Sequence, residues 1–347
     1  MTNREIDHII ACEIDRMTQA ADPFIRKGYM GMCVFLFKMY EFTSDSKYYE
    51  LAQEMLSRAC SSLKRRSKVN MIDGLSGIGA SIMCFHKKGY VTGNIYEILR
   101  NIDNEIYKNV IQAIDYSKDI STQGHEEALM DSAFYMTDRV KSHCLPLAEN
   151  KIHKLFICKI INKLYQDHDC SFYLEPIPIS GSYNLAHFIL LLCDAYSAEI
   201  ERSRIIHIWK EMRNTILAQA PFYDCNKLSL CYAFEKLHSI FPHDNKLKNV
   251  YLTFKNDISI TNIINEFPTN AMSMLSGLPG MIRLLLKMKY PLSETEINSL
   301  KERLKASDYY LLEYEKISEN QFVGYNGILG FITAYLSLWK KLLYKLS

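Results

Sequence analysis

Pairs of glycines spaced three apart recur along this chain: Gly28-Tyr-Met-Gly31, Gly74-Leu-Ser-Gly77, Gly277-Leu-Pro-Gly280 and Gly324-Tyr-Asn-Gly327. Each opens an apolar run long enough for a helix. Gly28 and Gly74 lie 46 residues apart, and Gly277 and Gly324 lie 47 apart. A fixed period of that size marks a repeat array, in which no unit can bury its apolar face alone. Glycine beside a helix start lets two backbones approach closely and permits positive φ in the turn. The run after Gly74 (Leu75-Ser-Gly-Ile-Gly-Ala-Ser-Ile-Met-Cys-Phe85) is apolar nearly all round and must be buried. A second kind of helix follows the first turn. Ser44 or Asp45 can cap it, and Tyr48, Leu51, Ala52, Met55 and Ala59 share one face with charges opposite. Each unit therefore reads as an inner buried helix plus an outer amphipathic one.

Counting at this period gives about seven helix pairs. Further inner helices are expected at Gly124 to Val140, at Asn184 to Cys193 and from Cys231 onward, with Pro221 to Cys231 as the loop leading in. Residues 1–20 read as a leading helix ended by Asp22-Pro23, and Gly327 to Leu346 as the closing one. Residues 150–166 predict an outer helix with Ile152, Leu155, Phe156, Ile160, Ile161 and Leu164 inward. An array of this kind stays open as a solenoid or closes into a ring. The inner helices are uniformly apolar near their starts, and neither end shows a polar capping repeat. The expected fold is all-α, an α/α toroid of about seven inner and seven outer helices, with residues 1–347 as one domain.

The charge balance is +2, so composition favours neither nucleic acid nor an anionic membrane as partner. The basic cluster Lys64-Arg-Arg-Ser-Lys68 reads as a solvated loop. The apolar runs are shorter than a membrane span. Met1 to His8 is polar and charged, which predicts no secretory signal. The ten cysteines contain no C-x-x-C pair, and Cys33, Cys84, Cys158 and Cys193 sit inside apolar runs. Cytoplasmic location is the expectation.

In a closed ring the glycine turns converge at one mouth, where helix N-termini offer free N–H groups and partial positive charge. The candidate site residues are therefore Asn70, Asp73, His187, Lys227, Cys231, Ser273, Ser276, Gln321, Tyr325 and Asn326. The ordered motifs Gly74-Leu-Ser-Gly-Ile-Gly79, Asn184-Leu-Ala-His187, Leu230-Cys-Tyr232 and Gly277-Leu-Pro-Gly280 resemble those of the lanthionine synthetase C-like (LanC-like) family. The resemblance runs over nearly the whole chain after residue 25. It implies an α/α toroid with seven inner helices. It also implies zinc at the mouth and addition of cysteine thiols to dehydrated serine or threonine in a precursor peptide.

By that resemblance His187 stands in an acid/base position, with Phe188 in place of a glycine. Cys231 stands at the first zinc ligand, and Lys227 at the basic position four residues earlier. Asn70 falls where the family has a catalytic aspartate. Leu275 and Ser276 fall where it has its other two zinc ligands, a cysteine and a histidine. Asp73, Ser276, Tyr325 and Asn326 become candidates for peptide contact.

The departures bear on mechanism. A catalytic zinc needs three protein ligands and an open position; without it a substrate thiol keeps its ordinary pKa near ~8.5. Asn70 lacks the carboxylate a general base needs. Cys225, His187 and Cys231 offer an alternative ligand set. The sequence thus points to a divergent LanC-like protein of lanthipeptide-type modification with its zinc chemistry altered or lost. The alternative is a non-catalytic peptide-binding or scaffold subunit beside a dehydratase partner. A toroidal carbohydrate enzyme would need two facing carboxylates, and only Asp73 and Glu175 offer themselves.

Overall fold

The computed structural model describes residues 2–63, 68–115, 123–167, 173–174, 183–311 and 324–346. Those residues contain helices and no strand. Seven helices form an inner ring: α2 (Tyr29–Thr43), α4 (Leu75–Lys87), α6 (Gln123–Lys141), α8 (Asn184–Ser197), α10 (Asp224–Ile240), α13 (Leu278–Lys287) and α16 (Ile328–Leu346). Each packs on the next, and α16 packs on α2, so the ring is closed. The fold is the all-α toroid expected. Outside it lie α1 (Asn3–Ala20), α3 (Ser46–Ser61), α5 (Ile95–Asp115), α7 (Leu147–Asp167), α9 (Arg202–Leu217), α11 (Asn245–Asp257) and α14 (Glu294–Lys305). Two short helices, α12 (Ile260–Glu266) and α15 (Asp308–Leu311), fill gaps in the outer layer.

Burial follows the sequence pattern. The inner α2 buries Met30, Met32, Cys33, Phe35 and Leu36. The outer α3 buries only Tyr48, Ala52, Met55 and Ala59, and Asp45 caps it by accepting from the Lys47 N–H. On α7 the inward stripe is His153, Ile157, Ile160, Ile161 and Leu164. Ile152 and Leu155, expected on that stripe, are exposed. Steps of three and four back from Leu164 and Ile161 pass through Ile157 to His153. Leu155 lies two residues from Ile157 and points nearly opposite, while Ile152 points about 100° away from its neighbour His153.

The glycines act by close approach. Gly28, Gly74 and Gly277 are helix N-caps with extended φ of −116°, −151° and −134°, so the positive φ anticipated for these turns is not used. The constraint is steric. A Cβ on Gly77 would sit 1.7 Å from the Met71 carbonyl oxygen, and Gly31 and Gly280 face the carbonyl six residues earlier in the same way. The last unit corrects the sequence register. Helix α16 begins at Ile328, so the pair equivalent to Gly28 and Gly31 is Gly327 and Gly330, three residues beyond the pair read from sequence. Gly324 has a separate duty. It takes φ +77°, and its N–H donates to buried Glu13 Oε2 of α1 at 2.9 Å. Tyr48 Oη of α3 donates to Asp7 of α1 at 2.8 Å, so α1 spans the junction between the last unit and the first.

Candidate functional site

Backbone hydrogen bonds stitch the turns together round the mouth. Met274 N donates to Asn326 O (3.0 Å), Asn326 N to Arg26 O (3.1 Å), and Ile25 N to Ile72 O (3.1 Å). Met71 N then donates to Asp131 Oδ2 of α6 at 2.7 Å. The residue before each N-cap glycine is Lys27, Asp73, Ser276 or Asn326, so three of the four expected peptide contacts occupy one equivalent position.

Most of the expected site residues are engaged in holding these turns. Asn70 Oδ1 accepts from the Asp73 N–H at 2.8 Å, so the residue at the family's aspartate position shapes the turn. Asp73 takes a two-pronged ion pair from Arg26, with Nε to Oδ1 at 2.9 Å and Nη2 to Oδ2 at 2.8 Å. The Ser273 and Ser276 hydroxyls lie 2.9 Å apart, and Ser273 Oγ also accepts from the Ser276 N–H. Asn326 Oδ1 accepts from Leu275 N at 3.0 Å. Tyr325 lines the cavity below the mouth. Gln321 and Glu175 lie outside the described residues, as do Lys64 to Ser67 of the basic cluster.

The fifth inner helix differs from expectation. It begins at Asp224, seven residues before Cys231, because Glu266 caps it from another helix. The Glu266 carboxylate accepts from Asp224 N (2.6 Å) and Cys225 N (2.9 Å). A carboxylate there is favoured by the helix dipole and occupies the N–H groups a mouth ligand would use. Lys227 Nζ donates to buried Asp224 at 2.7 Å, and Asp224 also accepts from Asn262 at 2.9 Å. Cys231 lies two turns into the helix with no exposed surface, and burial pushes its thiol up to about 12. Among the described residues no group of three His, Cys, Asp or Glu side chains is placed to hold a metal. The alternative set of Cys225, His187 and Cys231 is thus not assembled.

The donor chemistry does not fit a catalytic zinc. Leu275 offers no ligand atom, the Ser276 hydroxyl is paired with Ser273, and a thiol held near 12 does not supply a thiolate at neutral pH. His187 makes no side-chain hydrogen bond or ion pair among the described residues. Its side chain is half-buried on the first turn of α8, and desolvation inside the ring holds its imidazole below the ordinary value and so neutral.

Sequence reasoning missed two groups. Asp131 sits beside the second turn, and burial pushes its carboxyl up to about 6 against the opposing Met71 hydrogen bond. No motif announced it. Arg26 occupies the position equivalent to Leu275 and Tyr325, which the repeat register would have exposed had it been carried back to the first unit. Below the turns a cavity of about 520 Å3 runs between α2, α4, α13 and α16. Its upper wall includes Arg26, Met71, Met274 and Tyr325; its lower part includes Lys38, Glu41, Lys88 and Arg283.

Residues 20–126 match the family model described as lanthionine synthetase C-like protein. That stretch covers the first two units of the ring and the start of the third. The match, on a chain whose inner helices close into a toroid, supports membership of the LanC-like family. No curated protein gives a significant match to the chain. No helix among the described residues is long and apolar enough to cross a membrane.

Proposed function

We propose that this protein is a divergent LanC-like component of a lanthipeptide-type modification system, which binds a modified precursor peptide at the mouth of the ring without zinc-thiolate chemistry. In this reading residues 1–347 act as one LanC-like domain in the cytoplasm, and a dehydratase supplies the peptide. The observation that carries the reading is the state of the ligand positions. Leu275 and Ser276 replace two ligands, and the third, Cys231, is sealed in the core with its thiol pushed up to about 12. What remains at the mouth suits recognition. The Arg26–Asp73 pair, the serine pair and the neutral His187 present donors and acceptors beside apolar Leu275 and Tyr325. His187 is assigned to hydrogen bonding with the peptide, and Asn70 and Lys227 to holding the turns.

The test uses a synthetic peptide bearing dehydroalanine and a downstream cysteine. Fluorescence anisotropy reads binding, and thiol alkylation with mass measurement reads ring closure. The expected result is saturable binding, weakened by His187→Ala, with the peptide thiol disappearing no faster than in buffer. Absence of binding, or protein-dependent thioether formation, would overturn the proposal.

A further inference from the structure

The outer wall of the ring is uneven. Of the nine large apolar side chains exposed among the described residues, four lie on two neighbouring outer helices: Leu147, Ile152 and Leu155 on α7 and Ile111 on α5. The outer helices α1, α3, α9 and α14 expose none, and α11 exposes Leu252 alone. Two contacts fix where the four stand. Tyr96 Oη of α5 donates to Glu149 of α7 at 3.0 Å, and the Tyr107 ring stacks on Phe156 with centroids 5.1 Å apart. The two helices therefore run the same way, side by side. Ile111 lies one turn beyond Tyr107 on the same side of α5, and Ile152 lies one turn before Phe156 on α7. Leu155 points away from the buried stripe of α7, straight out from the ring. The half-buried rings of Tyr107 and Phe156 join these aliphatic ends into one strip along the groove between the helices. From Leu147 to Lys159 the strip is roughly 18 Å long, about three turns of helix.

The charge along this strip is one-sided. Lys151 and Lys159 stand one turn before and one turn after Leu155 on the outward line of α7, and Lys154 flanks it. None of the three has an ion-pair or hydrogen-bond partner among the described residues. Glu149, the acidic side chain described on α7, is engaged by Tyr96. Other outer helices match their charges internally: Arg58 with Glu54 on α3, Arg100 with Glu97 and Lys108 with Glu105 on α5, and Lys305 with Glu302 on α14. A solvated lysine needs no partner, and a single exposed aliphatic side chain is ordinary. Here the two coincide. An apolar line bordered by three like charges is complementary to an acidic surface with an apolar line of its own.

We propose that the α5–α7 face docks an acidic amphipathic helix of a partner protein. Its apolar residues, at steps of three and four, meet Ile111, Ile152 and Leu155, and its carboxylates meet Lys151, Lys154 and Lys159. A helix laid in a groove is anchored by this spacing. A second copy meeting the same face about a two-fold axis would set the lysines against themselves. A lipid surface is disfavoured on two grounds. Glu97 points outward from the same wall, and the strip exposes aliphatic side chains without the Trp or Phe that anchor a helix at a bilayer interface. The face lies outside the ring, so this docking stands or falls separately from peptide binding at the mouth.

The probe is a fluorescein-labelled helix of about 18 residues, stapled because a short helix is marginal in water. It carries leucines at steps of three and four with glutamates on both sides of them. One control peptide has lysine in place of each glutamate, and another has the same composition in scrambled order. Anisotropy titration of the full chain should show micromolar binding of the acidic helix and binding of both controls weaker by about tenfold or more. Leu155 is 54% exposed, so Leu155→Ser leaves the core intact and should weaken the acidic helix about tenfold. Lys151→Glu combined with Lys159→Glu should weaken it further and admit the lysine control. Leu252→Ser on α11 should leave binding unchanged. The proposal is overturned if the acidic helix does not bind at submillimolar concentration, if the scrambled peptide binds equally well, or if Leu155→Ser binds like the parent. Sedimentation with phosphatidylserine vesicles that the double lysine variant abolishes would overturn it in favour of a membrane. A dimer in sedimentation velocity that Leu155→Ser dissociates would overturn it in favour of a second copy.

Discussion

Asp131 shows how one side chain can be bent to the needs of a turn. Its carboxylate accepts the Met71 N–H at 2.7 Å, yet burial still lifts its pKa to about 6. A carboxyl whose folded pKa lies above the unfolded value favours the folded chain in acid and costs stability as pH rises through about 6. A shift of roughly two units corresponds to about 3 kcal/mol before solvent screening. Asp131→Asn, which keeps an acceptor for Met71, should therefore raise stability at pH 8 relative to the parent by about 2 kcal/mol, with the gain vanishing near pH 4. Urea unfolding at the two pH values checks this; an unchanged pH profile would contradict it. Asp103 has the opposite sign. Burial would raise it, but hydrogen bonds and the charge of buried Arg139, 2.7 Å away, hold it below the usual range. Its contribution is present at neutral pH and lost as pH falls through the folded value. Asp103→Asn leaves Arg139 without its counter-ion and should cost about 3 kcal/mol at pH 7, read from the urea midpoint. Neither aspartate could be singled out in the sequence, because each owes its role to residues far away in the chain.

At the scale of the element, the inner helices depend on their starts. Gly77 faces the Met71 carbonyl so closely that a methyl group cannot enter without moving the turn. Gly77→Ala should destabilise the protein by about 3 kcal/mol, whereas Gly89→Ala, with open space around it, pays only for its positive φ. A thermal melt of the two variants separates these cases; equal losses would show that crowding is not the constraint. Helix identity was legible here because it rests on local chemistry. The apolar runs after glycine, the cap at Asp45 and the stop at Lys87 and Lys88 all fall where the spacing places them. The start of α10 was not legible, since its cap is Glu266, 42 residues downstream of Asp224. The inward face of α7 was misread because Ile152 and Leu155 are apolar yet exposed, and an apolar residue on the surface carries no mark of its position.

For the whole molecule, closure depends on contacts between the ends of the chain. Glu13 on α1 is fully buried, pairs with Arg16 at 2.8 Å and accepts from Gly324 N, 311 residues away. Glu13→Ala should weaken the seam between the last unit and the first by about 2 kcal/mol. It should also raise hydrogen exchange at the turns of α2 and α16 before the rest of the ring. Uniform loss of protection would contradict a local seam. The period of 46 or 47 residues was enough to count seven units and to expect a ring, because repeat number follows from sequence spacing. The register of the last unit was not, because Gly324 takes positive φ for the seam and mimics the glycine pair that actually begins at Gly327. The site divided along the same line. Motif order singled out residues of the turns, but only the packed structure reveals that Asn70, Asp73, Lys227 and Ser276 are occupied by their neighbours.

The measurement that bears most directly on the central claim is the metal content of the purified protein, taken beside Cys231→Ala. A mouth without a zinc ligand set predicts no stoichiometric zinc in either protein after dialysis against a zinc-containing buffer. Zinc bound one-to-one in the parent and lost in Cys231→Ala would contradict the account, and would mean that the ring rearranges to expose a thiol buried here.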